Sequence, residues 1–426
     1  MENIIADFPG EGTPMAVNLP PLAELLPVPG VALGTAYARI KQTAAAAAPG
    51  RRDLVVMLLA EGSTVAGVFT RNAFRAAPVQ LAEAGIVRGG VRALIINSGN
   101  ANAATAEPGL EDATRVCDEL ARAASLPEGS VLPFSTGVIG VRLPVERMIQ
   151  ALPDALSSVE QDGWADAARA IMTTDTAPKA VSRRVDVAGV PVTITGMAKG
   201  AGMIKPDMAT MLGYVCCDAR VDQECLNAMV RRIAEASFNR ITVDGDTSTN
   251  DAFVIAATGV AEHPRIRGPE DVGYEALADG LTDVARILAQ WLVRDGEGAT
   301  RFVTVRVEGG ASSDECLRVA YTVAESPLIK TAIFAGDPNW GRFCMAIGRA
   351  GVAALDPSRV NLFLDDVCVA RGGLMADDYT EADGARVMAR PEFEVRIELG
   401  RGDHAETVWT TDLSYNYVKI NAEYRT

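Results

Sequence analysis

The stretch that most constrains the fold is residues 196–215, GMAKGAGMIKPDMATMLGYV. An alternating apolar segment, Val190 to Ile194, leads into it, and a second apolar run, Met211 to Val215, leaves it. Between them Gly196, Gly200, Gly202 and Pro206 supply too many breakers for a helix, so the pattern predicts two strands joined by a glycine-rich loop. Thr210 follows Ala209 at the end of that loop, where the second strand starts. A hydroxyl so placed can be held still and approached closely by backbone donors. Threonine alone is a weak nucleophile and needs a base. A cut before Thr210 would make its own α-amine that base, with a pKa near ~7.7–8.0. On residues alone the ordinary reading is a plain strand connection. The loop is no phosphate cradle, since it has neither G-x-G-x-x-G nor a Gly-Lys-Ser/Thr run.

Around this loop, strand-like and helix-like periodicities alternate. Residues 28–80 read as a strand meander with a turn at 49–52, ending in a helix or crossover that begins within 65–81. Ala93 to Ile96 form a buried strand running into a polar loop, Asn97 to Asn102, whose asparagines are suited to bonding their own backbone. Helices are expected at 109–125, 161–172, 222–237 and 270–294. In the last of these Leu277, Leu281, Val284, Leu288 and Leu292 share one stripe. From residue 302 the pattern shifts to a smaller unit. Ser312 and Glu315 are spaced as a capping box, and residues 392–400 alternate strictly before a hairpin return through ETVWTTDL. The fold class is therefore α/β, in a main domain over 1–300 and a smaller one over 301–426.

Charge and rare residues exclude several function classes. A formal net charge of −15 leaves no basic surplus for non-specific nucleic-acid binding. Two histidines, His263 and His404, each in a polar, surface-like context, leave little for a histidine-based triad or metal site. Seven cysteines without a C-x-x-C pair read as reduced thiols. The start MENIIADFPGEG lacks a signal peptide's basic and apolar regions, and Ala44–Ala48 is a short surface run. No apolar run approaches the ~20 residues that span a bilayer. A cytoplasmic chain is expected.

Four other segments carry polar groups of interest. In SVLPFSTGVIGVRLP, Thr136 and Gly137 place a hydroxyl and a glycine amide where both can face one anion. MTTDTAPKA, with Thr173, reads as a helix exit closed by Pro178. DGEGAT, with Glu297 between glycines, reads as a helix C-terminal cap. In ITVDGDTSTND, Asp244, Asp246 and Asp251 lack the glutamate of a calcium loop. The tail YVKINAEYRT stays rich in specific residues to Thr426, where termini normally fray.

KGAGMIKPDMATML resembles the self-cleavage segment of the ornithine acetyltransferase family, the glutamate N-acetyltransferases of arginine biosynthesis. The loop at 97–102, MTTDT, the DGEG turn, GDPNWGR and the tail are similar as well, from roughly residue 28 to 426. Arg301 stands where lysine is expected. The resemblance implies a layered α/β/β/α main domain and a small C-terminal α/β domain. It also implies cleavage between Ala209 and Thr210, giving an α chain of 1–209 and a β chain of 210–426. Thr210 would carry the acetyl group, with Thr136 and Gly137 holding the oxyanion. Thr173, Lys199, Thr210, Glu297, Asn421 and Thr426 would bind the substrates N2-acetylornithine and glutamate. No cofactor or metal is implied, and whether acetyl-CoA is a second donor stays open. The expected assembly is a heterotetramer of two α and two β chains. The alternative is a self-processing hydrolase of the related L-aminopeptidase/D-amidase family.

Overall fold

The computed structural model describes residues 16–40, 51–205 and 211–423. The alanine run at 44–48, Ala209, Thr210 and Thr426 lie outside the described residues, as does half of the expected turn at 49–52.

Strands and helices are numbered in chain order. One sheet has the order β1-β2-β4-β5, from β1 (Val31–Ala36), β2 (Leu54–Leu59), β4 (Ala93–Asn100) and β5 (Val131–Val138). Its first pairings are antiparallel, while β4 and β5 run parallel. A second sheet has the order β3-β9-β8-β7-β6, from β3 (Thr64–Phe69), β6 (Lys179–Val187), β7 (Val190–Lys199), β8 (Leu212–Cys217) and β9 (Ala252–Ala257).

These two sheets face each other. Leu94 and Ile96 of β4 and Leu132 and Phe134 of β5 pack in one core with Met197 of β7, Tyr214 of β8 and Val254 of β9. The opposite faces are covered too. Ala93 and Ile95 meet α2 (Ala106–Ala123) and α3 (Val145–Ser157), while Val215, Cys217, Phe253 and Ile255 meet α5 (Gln223–Glu235) and α6 (Tyr274–Arg294). Strands buried on both faces read as continuous apolar runs rather than alternating ones. The shorter helices α1 (Ala77–Arg88) and α4 (Trp164–Ala170) supply Val79, Ala82 and Trp164 to the core between the sheets. The helices α2, α3, α5 and α6 thus lie outside two paired sheets, the expected layering.

The α6 stripe is fully buried, with Leu277, Leu281, Val284, Leu288 and Leu292 all at 0% exposure. Burying each such side chain stabilises by about 1.5–3 kcal/mol. A third sheet, with its own core, has the order β13-β12-β11-β14-β10-β15. It comprises β10 (Phe302–Gly310), β11 (Asn361–Leu364), β12 (Val367–Arg371), β13 (Leu374–Met375), β14 (Glu392–Glu398) and β15 (His404–Thr411). Against it lie α7 (Ser313–Ala324), α8 (Pro327–Ala335), α9 (Trp340–Gly348) and α10 (Glu381–Met388), and α11 (Tyr415–Glu423) follows. At the start of α7 the Ser312 hydroxyl accepts from the Glu315 amide, as the capping box requires, but the Glu315 carboxylate accepts from the Ala311 amide instead of that of Ser312.

Several expectations are corrected. β3 does not continue a meander from β1 and β2; it crosses to the second sheet and pairs with β9. β14 and β15 form no hairpin, because β10 lies between them, parallel to β14 and antiparallel to β15. The alternation of β14 was legible, but its partner was not, since pairing depends on a strand some ninety residues earlier. β4 runs on to Asn100, because the asparagine segment keeps its ladder with β5. His263 is buried, at 1% exposure; its Nε2 accepts from the Arg220 amide. His404 is exposed, as expected.

Leu288→Ala should lower stability by about 2–5 kcal/mol in urea unfolding, the cost of a cavity beneath α6. Val272→Ala, at a side chain 75% exposed, should change it by less than about 0.5 kcal/mol.

Candidate active site

The two strands flanking the glycine-rich loop are antiparallel neighbours, with Lys199 at the end of β7 opposite Leu212 at the start of β8. The chain therefore leaves and re-enters the sheet at adjacent points. β9 lies parallel on the other side of β8, and the Ala252 amide donates to the Met211 carbonyl at 2.9 Å. Residues 248–251 are thereby brought beside Met211. From the facing sheet, the end of β5 brings Thr136 and Gly137 to the same edge.

One cleft opens there. Its walls include Thr136, Gly137, Thr173, Lys199, Glu297 and Asn421, together with Met211, the residue that follows Thr210. Six positions drawn from five separate segments of the sequence thus share one cavity. Ser248, Thr249, Asn250 and Asp251 also line it and were not singled out as ligands.

Local chemistry explains each placement. Gly137 has φ +132°, and a Cβ there would lie 2.3 Å from the Gly99 carbonyl carbon, so only glycine fits. The asparagine segment frames this turn. Asn97 donates to the Asn100 carbonyl at 2.8 Å and accepts from the Ser135 hydroxyl at 2.6 Å, while Asn250 donates to the carbonyls of Ala101 and Ser135.

Glu297 follows the C-terminus of α6, and its amide donates to the Ala201 carbonyl at 2.7 Å. Its carboxylate lies against Gly202, where a Cβ would come within 2.4 Å of Oε2. Asn421 donates to the same Oε2 at 2.8 Å. The helix α11 that carries Asn421 has no buried residue. It is held instead by Ser414, donating to the Gly298 carbonyl at 2.6 Å, and by Tyr417, donating to Asp244 at 3.2 Å.

Asp244 also accepts from the amides of Met203 and Ile204, at 2.6 and 2.9 Å. The acidic loop therefore supports the glycine-rich loop by accepting from its amides. Among the described residues no acidic, cysteine and histidine cluster suited to a metal ion is found.

Beneath the cleft lies a buried ion cluster that sequence reasoning missed. Lys179 contacts Asp175 at 2.7 Å and Asp295 at 2.5 Å, and all three side chains are fully buried. Asp175 also accepts from the amides of Thr173, at 2.9 Å, and Gly200, at 2.7 Å. Burial acts to raise the Asp175 pKa, but the ammoniums of Lys179 and Lys199 and the Gly200 amide outweigh it and hold the carboxyl well below the usual range. Burial likewise acts to lower Lys179, yet the two aspartates keep it above its ordinary value.

Lys199 is different. Burial pushes its ammonium down, with Asp175 opposing, and its Nζ donates to the Thr136 hydroxyl at 3.2 Å. No sequence signal marked Asp175, Lys179 and Asp295 as a group, because ion pairing across more than a hundred residues leaves no periodicity.

Lys179→Met should cost about 3–5 kcal/mol near neutral pH, since it strands two buried carboxylates. The sign with pH follows. In the wild type the folded-state pKa of Asp175 is depressed, so its contribution is complete above the unfolded value of ~3.9 and is lost as pH falls below it. In the variant the buried Asp175 carboxyl lacks the Lys179 ammonium, so less stability depends on its ionised form. The stability gap in urea titrations should therefore narrow as pH falls below about 4, where the wild type loses that contribution.

A family model described as the ArgJ family matches residues 35–426. An arginine biosynthesis bifunctional protein from Pseudomonas syringae pv. tomato is 57% identical over 412 residues, covering 97% of this chain and 100% of the relative. The protein of the same description from Pseudomonas fluorescens is 55% identical over the same coverage. Among solved structures, ornithine acetyltransferase complexed with ornithine, from Mycobacterium tuberculosis, is 33% identical with a TM-score of 0.37, covering 43% of this chain and 94% of that one.

Proposed function

The chain belongs to the ArgJ family, and on that premise we propose that it is an ornithine acetyltransferase, moving an acetyl group from N2-acetylornithine to glutamate in arginine biosynthesis. It is an acyltransferase, and full-length similarity to arginine-biosynthesis relatives favours this over the amidase alternative. The observation that carries the site assignment is the convergence of Thr136, Gly137, Thr173, Lys199, Glu297 and Asn421 on one cleft beside Met211.

In the proposed cycle, cleavage of the Ala209–Thr210 bond frees the Thr210 α-amine. This amine takes the proton of the Thr210 hydroxyl as its oxygen attacks the acetyl carbonyl of N2-acetylornithine. The negative charge that develops on the carbonyl oxygen is met by the Thr136 hydroxyl and the Gly137 amide. The amide C–N bond then breaks as the Thr210 α-ammonium passes that proton to the leaving nitrogen, ornithine departs with a free α-amine, and the acetyl group remains as an ester on Thr210. The α-amine of glutamate attacks that ester, the Thr210 α-amine relays the proton it sheds to the Thr210 oxygen, and the Thr210 hydroxyl is restored.

The pocket must accept an ammonium from one substrate and a carboxylate from the other. Glu297, with Asn421 bonded to it, is suited to the first, and Lys199 to the second. Thr173 and Thr426 complete the proposed substrate contacts. The cycle itself needs no cofactor or metal, because every step is an acyl transfer to a hydroxyl or an amine. Acetyl-CoA is a candidate second donor, since the curated relatives are described as bifunctional. The proposed assembly pairs two α and two β chains in the cytoplasm, with no nucleic-acid or membrane partner. No described helix is long and apolar enough to cross a membrane.

Purified protein should run as two bands on denaturing electrophoresis, one beginning at Thr210 by N-terminal sequencing. Thr210→Ala should run as one full-length band, and an intact wild-type chain refutes the scheme. With glutamate as acceptor, competition between N-acetylornithine and acetyl-CoA should reveal whether both serve as donors.

Fully cleaved Thr136→Ala should lose about 10²–10³ in turnover, the typical cost of one oxyanion donor. Nearly unchanged transfer by folded, cleaved variant would remove Thr136 from the oxyanion site.

A further inference from the structure

The contact that Lys199 makes with Thr136 differs in chemistry from binding a substrate anion. The lysine Nζ lies 3.2 Å from the Thr136 hydroxyl oxygen, in a buried position where it can only donate. A threonine hydroxyl has one hydrogen to give and two lone pairs to receive. With an ammonium on one lone pair, the Thr136 hydrogen must point away from Lys199.

The lysine is itself held in place at two points, the second anchored in turn. β7 pairs Lys199 with Leu212, the neighbouring Gly200 amide is fixed by the Asp175 carboxylate at 2.7 Å, and Asp175 is locked to buried Lys179. A hydrogen bond donated by a charged group in a water-poor site polarises the hydroxyl that accepts it. Burial, with the Lys179 charge acting the same way, holds the Lys199 ammonium below its ordinary value, and the nearby Asp175, Asp251 and Glu297 carboxylates offset this only in part.

We propose that Lys199 is a positioning residue of the oxyanion site, acting through Thr136: its ammonium turns and polarises the Thr136 O–H toward the charge that develops on the acetyl carbonyl. This rests on the acetyl-transfer reading above. It differs from an anion-binding role in a measurable way. A lysine that only binds the glutamate carboxylate affects ground-state and transition-state binding alike, and its loss raises KM for glutamate with kcat preserved. A lysine that works through Thr136 acts chiefly in the transition state, so its loss lowers kcat.

The test is a double-mutant cycle of Lys199→Met and Thr136→Ala on acetyl transfer from N-acetylornithine to glutamate, using cleaved, folded protein. Lys199→Met in the wild-type background should lower kcat about 10–100-fold, a share of the loss expected from removing the donor itself. In the Thr136→Ala background the same change should lower it by less than about threefold, because the route through Thr136 is already gone. Lys199→Gln keeps a donor without the charge and should fall between wild type and Lys199→Met. If Lys199→Met does not fold, Lys199→Gln completes the cycle.

Equal fold-losses in both backgrounds, or a raised KM for glutamate with kcat intact, overturn the proposal while leaving the acetyl-transfer reading in place. Failure of the wild type to transfer acetyl overturns both.

Discussion

The Asp175 carboxylate joins the site to the fold. It is buried, bonded to the Lys179 ammonium, and accepts from the amides of Thr173 and Gly200. Lys179 in turn reaches Asp295 at the end of α6, two residues before Glu297. A charge taken out of water is stable only when its partners are fixed around it. That requirement ties the exit from α4, the end of β7 and the end of α6 to one another. Thr173, Lys199 and Glu297 are borne by these three segments, so their spacing in the cleft is set beneath it.

The two facing sheets supply the other half of the geometry. β5 brings Thr136 and Gly137 from one sheet, while β7 and β8 bring Lys199 and Met211 from the other. A cleft at the open edge between two sheets takes donors from both and leaves its mouth accessible. The C-terminal helix closes one side by polar latches at Gly298, Asp244 and Glu297 rather than by burial. Its contribution is therefore directional, and it places Asn421 on the Glu297 carboxylate.

The electrostatics of the cleft are divided by depth. Buried at its base, Asp175, Lys179 and Asp295 hold their charges by mutual compensation. Lys199, nearer the cavity, is bonded to a neutral hydroxyl instead. The contrast follows from what each charge faces: the first group faces other fixed charges, and Lys199 faces the groups around the proposed reaction.

Much of this was legible in the sequence, for local physical reasons. Glycines at 196, 200 and 202 excluded a helix, the leucine stripe at 277–292 required a buried face, and the apolar runs at 93–96 and 211–215 required strands. The resemblance of KGAGMIKPDMATML to a self-cleaving acetyltransferase segment named the family, which the comparison with relatives established. The tertiary structure alone decided which distant strands pair. It took β3 away from β1 and β2, and inserted β10 between β14 and β15. It alone assembled Asp175, Lys179 and Asp295, and brought Lys199 onto Thr136. Periodicity records which face of an element is apolar. It does not record which distant element meets that face, and a buried charge pair is a property of the meeting.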